Sequence, residues 1–132
     1  MITADQLFCH AIGDYVLQSH YMATNKTKSS AVAIYHVLTY ALPFLFLRPS
    51  YMAMVIIVGS HFVIDRWRLA RFVVAFKNLF LSRPSEYERL SVEIDMATGF
   101  PNDCPPWLAV WLLIIVDNII HVLINGLALK YL

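Results

Sequence analysis

Apolar residues fill four long stretches of the chain, at about residues 3–22, 30–47, 51–72 and 107–129, and polar residues collect between them. Each stretch approaches the ~20 residues that cross a bilayer as a helix. The first is the most polar, with Asp5, His10, Asp14, Gln18 and His20, so one side of it needs protein neighbours rather than lipid. The second, SAVAIYHVLTYALPFLFL, carries Pro43 in its last third. A proline there can kink a membrane helix while its neighbours re-satisfy the backbone. The third leads into an amphipathic extension, RLARFVVAFKNLFL, that runs to Leu81. The connections ATNKTKSS and RPS are short, whereas residues 82–106 form a long polar loop. The pattern predicts an all-α fold: a four-transmembrane-helix bundle, one integral membrane domain over 1–132, with the long loop between helices 3 and 4.

Composition supports this picture. The chain is 59% hydrophobic and only 14% charged, against about a quarter charged in a soluble domain. A net charge of +1 gives no field that would attract nucleic acid. Cys9 and Cys104 form no CxxC pattern and suggest neither a disulfide framework nor a cysteine-rich zinc site. The start, MITADQLF, lacks the basic region and cleavage site of a signal peptide, so insertion through the chain's own helices is expected.

The basic residues set an orientation. Lys26, Lys28, Arg66, Arg68, Arg71, Lys77, Arg83 and Arg89 belong to the first and third connections, and only Arg48 and Lys130 to the other side. The positive-inside rule then places loops 1 and 3 in the cytoplasm and both termini outside.

The ionisable residues inside these greasy segments carry the chemistry. HAIGD and HFVID both read His-x-x-x-Asp, and DNIIH has the same spacing reversed. Residues four apart share a helix face. With His36, the set is His10, Asp14, His36, His61, Asp65, Asp117 and His121. At ~1.5 Å rise per residue all seven fall near mid-membrane, biased toward the cytoplasm. Isolated charges there cost roughly 2.5–3.5 kcal/mol each. Seven in one layer are expected to converge in the bundle and neutralise a cation. Imidazole and carboxylate together suit zinc, manganese or iron, as one ion with supporting groups or as two ions. A single His–Asp pair on a helix is ordinarily just a hydrogen-bonded couple. It is the repetition at one depth that points to metal. A proton relay uses the same residue types.

Around this set, Gln18, Lys26 and Asn118 are candidate substrate or supporting groups. Arg66 and Arg68 either anchor the cytoplasmic face or bind an anionic headgroup.

HAIGDYVLQ, then NK, then a lone His in the second helix, then HFVID and DNIIH, together resemble an uncharacterised family of small four-helix membrane proteins of bacteria and their phages. The resemblance covers about three quarters of the chain, and loop 82–106 looks particular to this protein. Where the family tends to have Asp-Gln before the last His, this chain has Asp117-Asn118. More loosely, the pattern is similar to the membrane-bound metal-dependent hydrolases. The resemblance implies a metal site at the same seven residues and supplies no substrate.

The expected function is therefore hydrolysis of a lipid or lipid-linked, phosphate-bearing substrate at the cytoplasmic leaflet. A divalent ion, zinc foremost, would lower the pKa of water to about 7, with Asp14, Asp65 or Asp117 as general base. The alternatives are a metal-ion or proton transporter, and a phage-type effector that binds a host membrane protein through loop 82–106. The outward half of the bundle, with little beyond Asp5, Gln6, Ser60 and Asn125, looks too dry for transport.

Overall fold

A computed structural model describes residues 2–81 and 93–132. The regular secondary structure of these residues is all helical, and the one β interaction among them is an isolated antiparallel bridge between Ile94 and Pro101. The helices are α1 (Ala4–Ala11), continued by a π-helical turn Ile12–Val16; α2 (His20–Asn25); α3 (Ser30–Ala41), continued by a 3-10 turn Pro43–Leu47; α4 (Tyr51–Trp67); α5 (Ala70–Phe76), continued by a π-helical turn Lys77–Leu81; and α6 (Pro106–Tyr131). Two of these runs are long and apolar enough to cross a membrane: Ser30–Leu47, with 18 residues, and α6, with 26.

Two boundaries differ from the sequence pattern. The helix expected over 3–22 is broken at Leu17–Ser19. Ser19 ends the break by capping α2, its hydroxyl accepting from the Met22 amide at 3.3 Å. The helix expected over 51–72 stops at Trp67 because Arg68 adopts a left-handed backbone, φ 51°, a conformation unfavourable for a residue with a Cβ. Arg48 does the same, φ 49°, at the end of the 3-10 turn. Pro43 sits where α3 tightens into that turn. The expected loop 82–106 falls partly outside the described residues, which resume at Glu93.

The chain divides into two compact units. One comprises Met1–Trp67 with Ile119–Leu132, and the other Arg68–Asn118. In the first, α1, the α3 run, α4 and the last turns of α6 enclose an apolar core of Cys9, Tyr40, Phe44, Ala53, Ile57 and Ala128. This core lies toward the start of α4 and the ends of the α3 run and α6. Along the same helices, toward the other end, the buried side chains turn polar: His36 on α3, His61 and Asp65 on α4, His121 on α6. Large apolar side chains stand at outward positions and polar ones at inward positions. Phe8, Tyr35, Leu38, Phe46 and Leu127 are exposed while Gln6, His36, His61, His121 and Asn125 are almost wholly buried.

In the second unit, Val74, Phe100 and Ala109 form a small core with Cys104, Leu112, Leu113 and Val116. Asp95 organises its turn, accepting from the Ala97 amide at 2.8 Å and the Thr98 hydroxyl at 2.9 Å. These bonds, the Ala97 amide first, hold its carboxyl below the usual carboxylate range.

Candidate metal centre

Four side chains from three elements converge in the first unit. The Nε2 atoms of His36 and His61 are 3.1 Å apart. Each lies 3.3 Å from Asp14 Oδ1 and 3.1 Å from Asp65 Oδ2. All four residues are buried, and the four donor atoms lie within 4.8 Å of one another. A tetrahedral ion with ligand bonds near 2.0–2.1 Å separates its ligand atoms by about 3.3–3.4 Å. Five of the six edges of this donor set, at 3.1–3.3 Å, come within a few tenths of an ångström of that length. Asp14 Oδ1 is buried with no hydrogen-bond partner among the described residues. A buried carboxylate oxygen left unpaired is costly, and a cation between the two ring nitrogens removes that cost. The donor set thus fits a divalent metal by chemistry, spacing and unmet bonding.

Local structure explains why these residues point together. His61 and Asp65 lie one turn apart on regular α4, and both reach the same point. His10 and Asp14 have the same sequence spacing but straddle the junction of α1 with its π-helical turn. Such turns are rare and often mark functional sites. The pair still meets there: Asp14 Oδ1 faces the pocket, while Oδ2 lies 3.6 Å from His10 Nδ1. Gly13 permits this turn to pack closely. A Cβ at that position would stand 2.5 Å from Tyr40 Cδ2 and 2.9 Å from the Tyr40 carbonyl. Gly13→Ala is expected to cost about 1–3 kcal/mol. A thermal melt of the purified variant in detergent checks this, and an unchanged midpoint would remove the close packing as a constraint.

Lys26, at the end of α2, closes one edge of the pocket. Its Nζ donates to Asp65 Oδ2 at 2.7 Å and lies 3.4 Å from His36 Nε2. Arg66 does not reach the pocket. Its guanidinium binds the Thr27 carbonyl and the Ser30 hydroxyl, tying the loop that holds Lys26 to the last turn of α4. Gln18 lies in the break after the π-helical turn, with its Oε1 buried and unpartnered among the described residues. The other expected residues are placed differently. His121 Nε2 is 3.4 Å from Asp65 Oδ1, and its ring stacks on His61 at 4.1 Å. Asp117 and Asn118 fall in the second unit, on the same helix as His121. Asp117 is half-buried, and the Asn118 amide donates to the Ile114 carbonyl of its own helix at 2.6 Å. Arg68 is an exposed residue of the second unit.

Three polar groups beyond the pocket escaped the sequence pattern as a network. The Tyr40 ring stacks on His61 at 3.7 Å. Its hydroxyl lies 2.9 Å from His10 Nδ1 and accepts from Asn125 Nδ2 at 2.6 Å. Gln6 Nε2 donates to the Val122 carbonyl at 2.6 Å. The only sequence signal for them was position: Gln6 lies one turn before His10, and Asn125 one turn after His121.

The model of one family, described as protein of unknown function (DUF3307), matches residues 2–95. The chain belongs to this family. The matched span holds the whole four-donor pocket and Lys26, and ends before Asp117 and His121. Neither a curated protein nor a solved structure matches the chain.

Proposed function

We propose that this DUF3307 member is an intramembrane metal-dependent hydrolase that acts on a phosphate-bearing lipid or lipid-linked substrate at the cytoplasmic leaflet. The observation that carries the reading is the pocket of two imidazole nitrogens and two carboxylate oxygens at tetrahedral spacing, with a lysine at its edge. Membrane insertion through four segments is supported by the exposed apolar and buried polar positions of the first unit and by the two runs long enough to cross. The α4 helix, with 17 residues, falls just short of them. The asymmetry of basic residues supports cytoplasmic loops 1 and 3 and external termini.

His36, His61 and Asp65 would hold the ion. Their side chains are 0%, 1% and 4% exposed. Asp14, at 11%, is the most accessible of the four. It sits on the π-helical turn and, of the four donors, is the one that would give up the ion to the attacking water and act as its general base. A divalent ion in the pocket supplies Lewis acidity toward the scissile ester or phosphoryl group. Lys26 Nζ offers an ammonium at the pocket's edge for the substrate's anionic oxygen. Arg66 orients the Lys26 loop through the Thr27 carbonyl.

The test uses purified protein in anionic phospholipid vesicles. Elemental analysis is expected to find zinc, manganese or iron at stoichiometric amounts, lost with hydrolysis on chelation. Lys26→Ala is expected to raise KM about tenfold or more with a smaller change in kcat. Protein that never binds metal, or that hydrolyses equally well without it, would sink the proposal.

One observation favours a second reading, an ion or proton path. The buried polar groups continue past the pocket through His10, Tyr40 and Asn125, with Gln6 also buried. The discriminating result is proton or metal flux in reconstituted vesicles that His61→Ala removes.

A further inference from the structure

Lys26 reaches the pocket from a loop that is held in place. It caps the end of α2, its amide donating to the Met22 carbonyl at 2.8 Å, and the Arg66 guanidinium fixes the next residue through the Thr27 carbonyl. From there Lys26 Nζ addresses two of the four pocket donors, Asp65 Oδ2 at 2.7 Å and His36 Nε2 at 3.4 Å. Those two atoms are 3.1 Å apart. A metal bonded to both at about 2.0–2.1 Å would stand no more than ~4 Å from Nζ. Two physical facts then set the ammonium against the ion. An imidazole nitrogen that accepts has one lone pair, so His36 Nε2 serves Lys26 or a metal and not both. An ammonium so close to a divalent ion in a mostly buried site is also strongly repelled. The Lys26 side chain is 17% exposed, the most accessible of the five groups. Its four-carbon stem is flexible, so the ammonium can leave by rotation of the stem while the loop stays clamped.

We propose that Lys26 and the metal compete for His36 Nε2 and Asp65 Oδ2, so that metal binding displaces the ammonium and frees it to bind an anionic oxygen of the substrate. This rests on the reading of the pocket as a metal site and deepens it by setting an order: metal first, phosphate-bearing substrate second. While Lys26 lies on the two donors, Asp65 neutralises its charge. An ion bonded to Asp65 takes over that carboxylate, and the displaced ammonium is left at the pocket's edge without its anion. The fraction of molecules with Lys26 withdrawn scales the apparent metal affinity. A phosphate group that holds Lys26 outside raises that fraction and so tightens the metal, and the coupling is reciprocal.

The full chain in detergent, with manganese as the metal, tests this. Acylation of Lys26 by an amine-reactive ester is read by mass spectrometry, with the exposed Lys28 as internal reference. Manganese loading is expected to raise the labelling of Lys26 about tenfold or more. Glycerol phosphate is expected to reverse most of that rise. Lys26→Met is expected to bind manganese about tenfold or more tightly than the wild type, because no ammonium has to withdraw. Labelling that does not rise on loading, or affinity no tighter in Lys26→Met, would overturn the competition while leaving the pocket standing as a metal site. Labelling that stays high in glycerol phosphate would overturn the substrate role of the freed ammonium. No bound manganese in either protein would overturn the metal reading as well. If Lys26→Met does not fold, the labelling of the wild type decides alone.

Discussion

Asp65→Asn is expected to abolish metal binding and turnover together. Asp65 is the junction of the site: its oxygens lie 3.1 Å from His36 and His61, 3.4 Å from His121 and 2.7 Å from Lys26. The amide keeps the shape and removes the charge. Metal affinity should fall by at least ~100-fold, beyond the effect of losing a supporting group. Stability should fall as well, because Lys26 is left without its partner at a mostly buried position, where breaking an ion pair costs about 3–5 kcal/mol. The double variant Asp65→Asn/Lys26→Met separates the two effects. It should recover much of the stability and none of the metal. Thermal melts and elemental analysis of the four proteins complete the cycle. An Asp65→Asn protein that still binds metal and turns over would exclude Asp65 as a ligand.

Asp14→Asn is expected to behave differently. Its pocket neighbours are histidines, so the substitution strands no lysine. The remaining donors of His36, His61 and Asp65 are expected to retain the ion in the pocket, with reduced affinity. Turnover should nevertheless fall about 10²–10⁴-fold, the usual worth of a positioned general base. Metal-loaded Asp14→Asn that hydrolyses at the wild-type rate would remove the base role. Loss of metal as complete as in Asp65→Asn would make Asp14 a plain ligand.

The centre was legible in the sequence because ionisable residues in apolar helices are expensive, and so few in number. Spacing alone paired His61 with Asp65, and depth alone brought in His36. Spacing also paired His10 with Asp14, which meet at 3.6 Å, but it assumed an unbroken α-helix where the chain opens into a π-helical turn. Nothing in IGDYV announces that turn. The break before α2 was more readable, since Ser19 is a good N-cap residue, but it lay inside a run that reads as apolar. Tyr40 reads as one more aromatic core residue. Its role depends on Asn125, 85 positions away, and no local pattern encodes such a partner. Arg66 shows the opposite limit: its charge was plain, but its commitment to the Thr27 carbonyl and Ser30 is a tertiary fact.

The π-helical turn at Ile12–Val16 also bears on how the first helix tolerates change in length. A π-helical turn is an α-helical turn carrying one surplus residue. Removing a residue from it would restore an ordinary helix without turning the flanking segments, because the wider turn is what takes up the surplus residue. Gln6, Cys9 and His10 would keep their places against Val122, Pro43 and Tyr40, whereas the same deletion within α1 would rotate the residues before it by about 100°. The turn is thus a point at which the first helix can lose a residue and still hold these contacts.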